Sequence, residues 1–430
     1  MKNLITLLSL LLLISCATAP DQNQAIITDI NDFQSYLDSD RDALVATLKS
    51  KTAPLKLDIE QDSTRIVQMS RLAGLNNQLY DLTGDISYLE QAVSLRENVL
   101  KRTAIKPESA RRSLAQMYIK QHRFKEADSL MKNEVANEKQ DHLVKFDIAM
   151  ELGNYVEAEE LLNTLRNLND YNYLIRAAKW NDYKGNLDDT IRLMEKAMEL
   201  AEESGSENLM LWSYSNIADY YGHHGGDLAL SYKYYLKTLE LDPQNDYALK
   251  GISWIAYSND DDTALATQII NKLQSRHHIP DYNLILSEYA SYQNDEKKAL
   301  ELRESFLKET NKPAYRGMYN TYRIENLLAG TDAQQKSGLE LAIIEVENRA
   351  TPETYDLLGY AYLVNKMPVI ALENHKQFVQ NKTFEPVAQL HLAQIFKENK
   401  LVDVAQPIKN ELLEARYELG PVTYKEVEQI

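Results

Sequence analysis

A chain of 430 residues, 44% hydrophobic and with only 14 Gly and 11 Pro, has the composition of packed helices and enough apolar side chains to exclude a disordered polymer. Its formal net charge of -17, with no run of five or more basic residues, argues against nucleic acid as a partner, because neutralising phosphates requires a basic surface. The lone cysteine, Cys16, rules out a disulfide or a cysteine-built metal site within one chain.

In chain order, residues 1–15 read as a secretory signal. Lys2 supplies the positive start, and Leu4 to Ile14 is apolar apart from Thr6 and Ser9, too short for a permanent membrane helix, which needs about 20 residues. Leu13-Ile14-Ser15-Cys16 resembles the lipobox of bacterial lipoproteins. The competing cleavage, after Ala17-Thr18-Ala19, would leave Pro20 as the first mature residue, which the general signal peptidase accepts poorly. The lipoprotein resemblance implies a mature chain that begins at Cys16 and carries a diacylglycerol thioether, usually with an amide-linked acyl chain. Each buried methylene contributes about 0.8 kcal/mol, so two or three such chains hold a protein firmly on its membrane. Because Ala17, not Asp, follows the cysteine, and no acidic stretch comes next, the resemblance further implies an outer-membrane anchor with the body facing the periplasm. Residues 16–26, small and polar, read as a lipidated flexible tether.

Residues 27–61 are expected to form an N-terminal helical cap. From residue 62 to 417, self-similarity at about 32 to 40 residues dominates and predicts a repeat array of about ten units. The clearest unit starts at Pro352, with Tyr355, Leu358, Gly359, Tyr362 and Ala371 in turn; the next repeats it with Leu392, Ala393, Phe396 and Ala405. An earlier unit carries Leu114, Ala115, Tyr118, Ala127 and Met131, and another, from Trp212 to Pro243, carries Tyr214, Ile217, Ala218, Tyr221 and Tyr235. These spacings resemble the tetratricopeptide repeat (TPR). The resemblance implies an all-α fold, a TPR-type α-solenoid in which stacked helix pairs wind into a right-handed superhelix. Small residues let the two helices of a unit cross closely, large ones fill the space around the crossing, and neighbours must stack because no unit buries its apolar face alone. Residues 313–351 fit the repeat worst, with a longer connection at Gly330-Thr331-Asp332, so a bend or break is expected there. Residues 418–430 are expected to be a C-terminal tail.

Signatures of catalysis are missing: no Gly-x-Gly-x-x-Gly, no phosphate loop, no Gly-x-Ser-x-Gly, no His-Glu-x-x-His. The tetrads Ser129 to Lys132 and Ser305 to Lys308 lack the motifs that accompany a Ser-x-x-Lys nucleophile. The adjacent pairs His223-His224 and His277-His278 diverge, whereas helix-borne metal ligands prefer i, i+3 or i+4 spacing. Asn259 to Asp262 lacks the spacing of a calcium loop and reads as an inter-helix turn with a cap. No enzyme activity, metal or cofactor is therefore expected.

Most of the 27 tyrosines fall at positions that pack inside the repeat. The TPR resemblance implies that its inner-wall positions here are Arg112, Gln116, Asp147, Lys179, Asp182, Trp212, Asp219, Glu288, Asp356, Tyr360 and Gln394. The asparagine that lets some members of that family clamp a C-terminal carboxylate is missing from this set, and its several acids fit a basic or hydroxyl-rich ligand. The expected function is a lipid-anchored envelope scaffold that binds other envelope proteins or peptides. The alternative is a substrate-binding lipoprotein, for carbohydrate or peptide, of an outer-membrane uptake system, although the long insertions of the SusD-like family have little room here. Aromatic rings exposed together on the inner wall would favour a carbohydrate; scattered charges would favour a protein.

Overall fold

The computed structural model describes residues 25–132, 139–223 and 226–430. The segment expected to be a signal, the expected lipidation position Cys16, and His224 lie outside the described residues. Two helices come first, α1 (Ile30–Leu37) and α2 (Asp42–Gln61). Ten helical hairpins follow: α3 (Ile66–Thr83) with α4 (Ile86–Arg102), α5 (Glu108–Lys120) with α6 (Phe124–Lys132), α7 (Lys139–Leu152) with α8 (Tyr155–Thr164), α9 (Tyr171–Tyr183) with α10 (Leu187–Ser204), and α11 (Glu207–His223) with α12 (Leu228–Leu241). The second five pair α13 (Asp246–Ser258) with α14 (Thr263–Arg276), α15 (Asp281–Tyr292) with α16 (Glu296–Thr310), α17 (Asn320–Leu328) with α18 (Asp332–Asn348), α19 (Pro352–Val364) with α20 (Pro368–Phe378), and α21 (Pro386–Glu398) with α22 (Val402–Leu412). A last helix, α23 (Arg416–Glu428), closes the chain. Each hairpin also packs on the next, and no strand occurs among the described residues. The fold is an all-α, TPR-type α-solenoid.

Why the chain reverses so regularly is visible in its turns. Nine of the ten hairpins place a left-handed residue between their helices: Gly84, His122, Gly153, Gly185, Gly226, Asp261, Asn294, Lys366 and Lys400. A residue in that region ends one helix and redirects the chain within a few residues. The exception is the α17–α18 turn, which instead starts α18 with a capping box between Thr331 and Gln334. It lies in the stretch where the repeat pattern is weakest, and the link before it is irregular, with a single 3-10 turn at Pro313–Tyr315. Packing nonetheless continues there from α17 to α18 and α19.

Small residues set the crossing distance inside the hairpins. A Cβ on Gly359 would fall 2.1 Å from the His375 ring. In two other hairpins a serine takes this place and donates to the facing backbone carbonyl, Ser253 to Ala266 at 3.1 Å and Ser287 to Ala299 at 2.9 Å, and in α9–α10 the facing residue Thr190 donates back to the Ala178 carbonyl at 3.3 Å. The polar atom is thereby satisfied without holding the helices apart.

Successive coils of the solenoid touch one another. The His278 N–H donates to the Thr83 carbonyl at 2.8 Å. A Cβ on Gly153 would lie 2.3 Å from the Ala350 carbonyl, and one on Gly185 would lie 2.7 Å from the Phe384 ring. These hairpin turns therefore seat on links that come about 200 residues later in the chain.

Both ends fold inward as well. Of the expected N-terminal cap only α2 stacks on α3, while α1 packs against α12 and α14. It is held there by the Thr28 N–H to Asp260 at 2.8 Å and by Arg41, 3% exposed, which reaches Asp246 at 2.6 Å and the Leu82 carbonyl at 2.7 Å. Residues 418–430, expected to be a tail, belong largely to α23: two short helical segments joined at Gly420 (φ 72°). Leu419, Pro421 and Val427 are buried, and that apolar set draws the segment onto α11, α13, α15, α21 and α22.

Candidate functional site

The residues expected to line the inner wall mostly tie neighbouring helices together. Arg112 pairs with Asp141 at 2.7 Å, Asp147 with Arg176 at 2.6 Å, and Lys179 with Glu151 at 2.8 Å, so α5, α7 and α9 are linked in sequence. Gln394 donates to Glu426 on α23 at 3.0 Å. Glu288 accepts from the Tyr257 hydroxyl at 2.8 Å. Trp212 is 41% exposed and meets Tyr171 edge-on, and Gln116 is exposed.

Asp356 requires a correction. It is 4% exposed and accepts from His375 Nε2 and His391 Nδ1, both at 2.8 Å. It is therefore a buried strut holding α19 to α20 and α21, and it presents nothing to a ligand. Tyr360 lies flat on the His391 ring at 3.8 Å. Tyr360 and Gln394 do share an open hollow of about 780 Å³ at the C-terminal end of the wall, with Lys397, Glu398 and Glu426.

Asp219 sits in a more enclosed place. A cavity of about 510 Å³ opens between α11, α13, α15, α17 and α23. Along α13, Tyr247, Lys250, Gly251 and Trp254 share one helical face and all line it. Gly251 makes the geometry possible: a Cβ there would lie 2.2 Å from the Tyr235 ring, so only glycine lets Tyr235 lie against the α13 backbone and bring its hydroxyl to Asp219. Tyr247 donates to the other Asp219 oxygen. Across the cavity Asp281 accepts from the Tyr319 hydroxyl at 2.6 Å. The fourth side is α23, whose Tyr417 carbonyl accepts from Trp254 Nε1 at 3.0 Å, with the Tyr417 ring seated over Gly222. Tyr247 and Tyr322 each remain 47% exposed beside this space.

Among the described residues, carboxyl groups outnumber cationic groups in the lining. Burial raises the Asp219 carboxyl pKa against the pull of the Tyr235 and Tyr247 hydroxyls. Glu418 is pushed up to about 7 by burial and then by the nearby Glu385 and Asp182 carboxylates. Asp182, one of the expected wall residues, is itself raised by burial, against the pull of Lys179. Burial lowers the His223 pKa and so favours its neutral form. The lining ammonium is Lys250, placed over the Tyr247 ring at 5.1 Å.

Of the eleven expected wall positions, only Asp219 lines this cavity. Tyr247, Trp254, Asp281, Tyr322, Tyr417 and Glu418 were not anticipated. The i, i+3, i+4, i+7 set on α13 was a readable signal; the approach of α23 was not, because it joins residues about 160 apart in the chain. Among the described residues no group of three or more His, Cys, Asp or Glu is placed to hold a metal ion, and no helix is long and apolar enough to cross a membrane.

No protein-family model and no curated protein sequence matches the chain. Its backbone is similar to that of yeast Tom70, at 13% identity over 91% of this chain and 96% of that one, with a TM-score of 0.40. It is also similar to a chain of the APC/C hetero-tetramer Cut9-Hcn1 (13% identity, 94% and 98% covered, TM-score 0.33) and to human IFIT1 in a dimer with m7Gppp-AAAA (14% identity, 70% and 73% covered, TM-score 0.37). The fold class rests on the helix pairing itself, not on these likenesses.

Proposed function

We propose that this chain is a lipid-anchored protein of the bacterial envelope, held on the outer membrane through Cys16 and facing the periplasm, that acts as a scaffold by binding segments of partner proteins and not by catalysis. The anchor is supported by Leu13-Ile14-Ser15-Cys16. Binding is supported above all by one observation: a cavity of about 510 Å³ between α11, α13, α15, α17 and α23 has rings and carboxyls facing it, within the size range in which pockets take a side chain or a small molecule.

The test is crosslinking and affinity capture from intact cells of the full-length protein beside a Cys16→Ala form. Expected are envelope proteins that co-purify with the wild type and are lost when Tyr247 and Tyr322 are both changed to Ala, together with release of the Cys16→Ala form from the membrane fraction. Failure to recover any partner, or membrane retention of the Cys16→Ala form, counts against the scaffold or the anchor respectively. A second reading, a substrate-binding lipoprotein, is favoured by the paired exposure of Tyr247 and Tyr322 at one cavity, since rings exposed together stack against sugars. Retention of a glycan with no protein partner would select it.

A further inference from the structure

The cavity between α11, α13, α15, α17 and α23 has a chemistry more specific than its shape. Among the described residues, three carboxyl groups, Asp219, Asp281 and Glu418, face it against the ammonium of Lys250. Both Asp219 oxygens already accept from tyrosine hydroxyls, and Asp281 accepts from Tyr319. What the cavity lacks is therefore not hydrogen-bond donors but positive charge. A neutral polyol could donate to the second lone pairs of these oxygens but would gain no charge attraction by doing so. A cation gains from the carboxylates, draws the raised Asp219 and Glu418 toward their ionised forms, and gains more here than at an open surface because surrounding protein weakens the screening by water.

The remaining walls fit the same ligand. Tyr247 and Tyr322 offer ring faces that are still half exposed, and a cation over such a face gains further. Lys250 over Tyr247 at 5.1 Å is an internal example of this contact. Trp254, Leu284 and Ile285 line another part of the cavity and suit an alkyl stem. We propose that this cavity is a binding site for an alkylammonium group, one charged nitrogen on an apolar stem, presented either by a lysine side chain of a partner segment or by a free amine. The inference rests on the binding function proposed above and names the chemistry it recognises.

The experiment is isothermal titration calorimetry of the full chain in nonionic detergent with four probes: N-acetyl-lysine methylamide, n-pentylamine, the uncharged N-acetyl-norleucine methylamide, and maltotriose. Expected is binding of at least one cationic probe about tenfold or more tighter than the norleucine analogue, weakened by raising the salt as the charges are screened. Tyr322→Leu, at a position exposed enough to spare the fold, is expected to weaken the cation by about threefold. Asp219→Asn is expected to weaken it by about tenfold, with thermal unfolding as the check that this variant is folded. Preference for the lysine analogue over n-pentylamine points to a peptide source, and the reverse to a free amine. Equal binding of the norleucine analogue, binding of maltotriose alone, or no heat from either cation up to about 10 mM overturns the proposal. Partner capture that persists while both cations fail would sink this inference and leave the scaffold standing; cation binding without any captured protein would do the opposite.

Discussion

At Asp356 two imidazoles from different hairpins, His375 and His391, meet one carboxylate in a place closed to solvent. Burial alone would raise the carboxyl, but His391 and His375 hold the Asp356 pKa below its ordinary value; burial likewise opposes the His391 charge, but Asp356 raises the His391 pKa above its own ordinary value. The signs define a window. The carboxylate contributes stability above its unfolded value of 3.8, lost as pH falls through the lowered folded value. The imidazolium contributes stability that is complete below its unfolded value of 6.5 and lost as pH rises through the raised folded one. Denaturant unfolding measured between pH 5 and pH 9 should show the wild type losing stability toward the alkaline side, and Asp356→Asn losing less of it. At about pH 6 the variant should be less stable by about 3 kcal/mol, because removing one partner of a buried pair strands the other. An identical pH slope for both proteins would refute the pairing. Repeat spacing placed Asp356 on the inner wall, and nothing in a linear pattern distinguishes an acid that faces a ligand from one that two distant histidines close over.

Among the elements, α23 departs furthest from expectation. Its sequence reads as a polar end, and Leu419, Pro421 and Val427 are too few for a helix signal of their own. The wall supplies what the segment lacks. The Trp254 indole N–H holds the Tyr417 carbonyl, and left-handed Gly420 turns the chain where a Cβ would lie 2.8 Å from the Trp254 ring. Ending the chain after Leu413 should therefore uncover α11, α13 and α15. Hydrogen exchange of the truncated protein is expected to speed up in those helices while α5 and α7 keep their protection. Unchanged exchange in α13 would mean that α23 does not rest there in solution. The hairpins themselves were far more legible. Gly359 with Ala371, and Ala393 with Ala405, recur at one spacing because the same helix crossing recurs, and physics at that crossing tolerates only small side chains.

Across the whole molecule the unexpected feature is contact between coils. Arg349 reaches Glu151 at 3.5 Å, and Gly153 lies beneath the Ala350 carbonyl, so a hairpin turn early in the chain supports a link near its end. Gly153→Ala tests this. The left-handed conformation (φ 75°) and the 2.3 Å approach to that carbonyl both oppose a methyl group, and the variant should lose about 1 to 3 kcal/mol in denaturant unfolding. Its hydrogen exchange should rise at α18 and α19 as well as at α7 and α8. A loss confined to α7 and α8 would show that the coils do not support each other.

What the amino-acid sequence by itself determined is the repeating part: all-α content, hairpins at a steady period, and small residues where helices cross. Each of these is decided within about 35 residues, so it leaves a periodic trace. Only the tertiary structure decided which side chains the inner wall keeps for itself, where α1 and α23 rest, and that Asp219, Tyr247, Tyr322 and Glu418 face one space. Those outcomes depend on how far each hairpin rotates on the next. Small rotations accumulate along the stack, so they bring together residues that no local pattern relates.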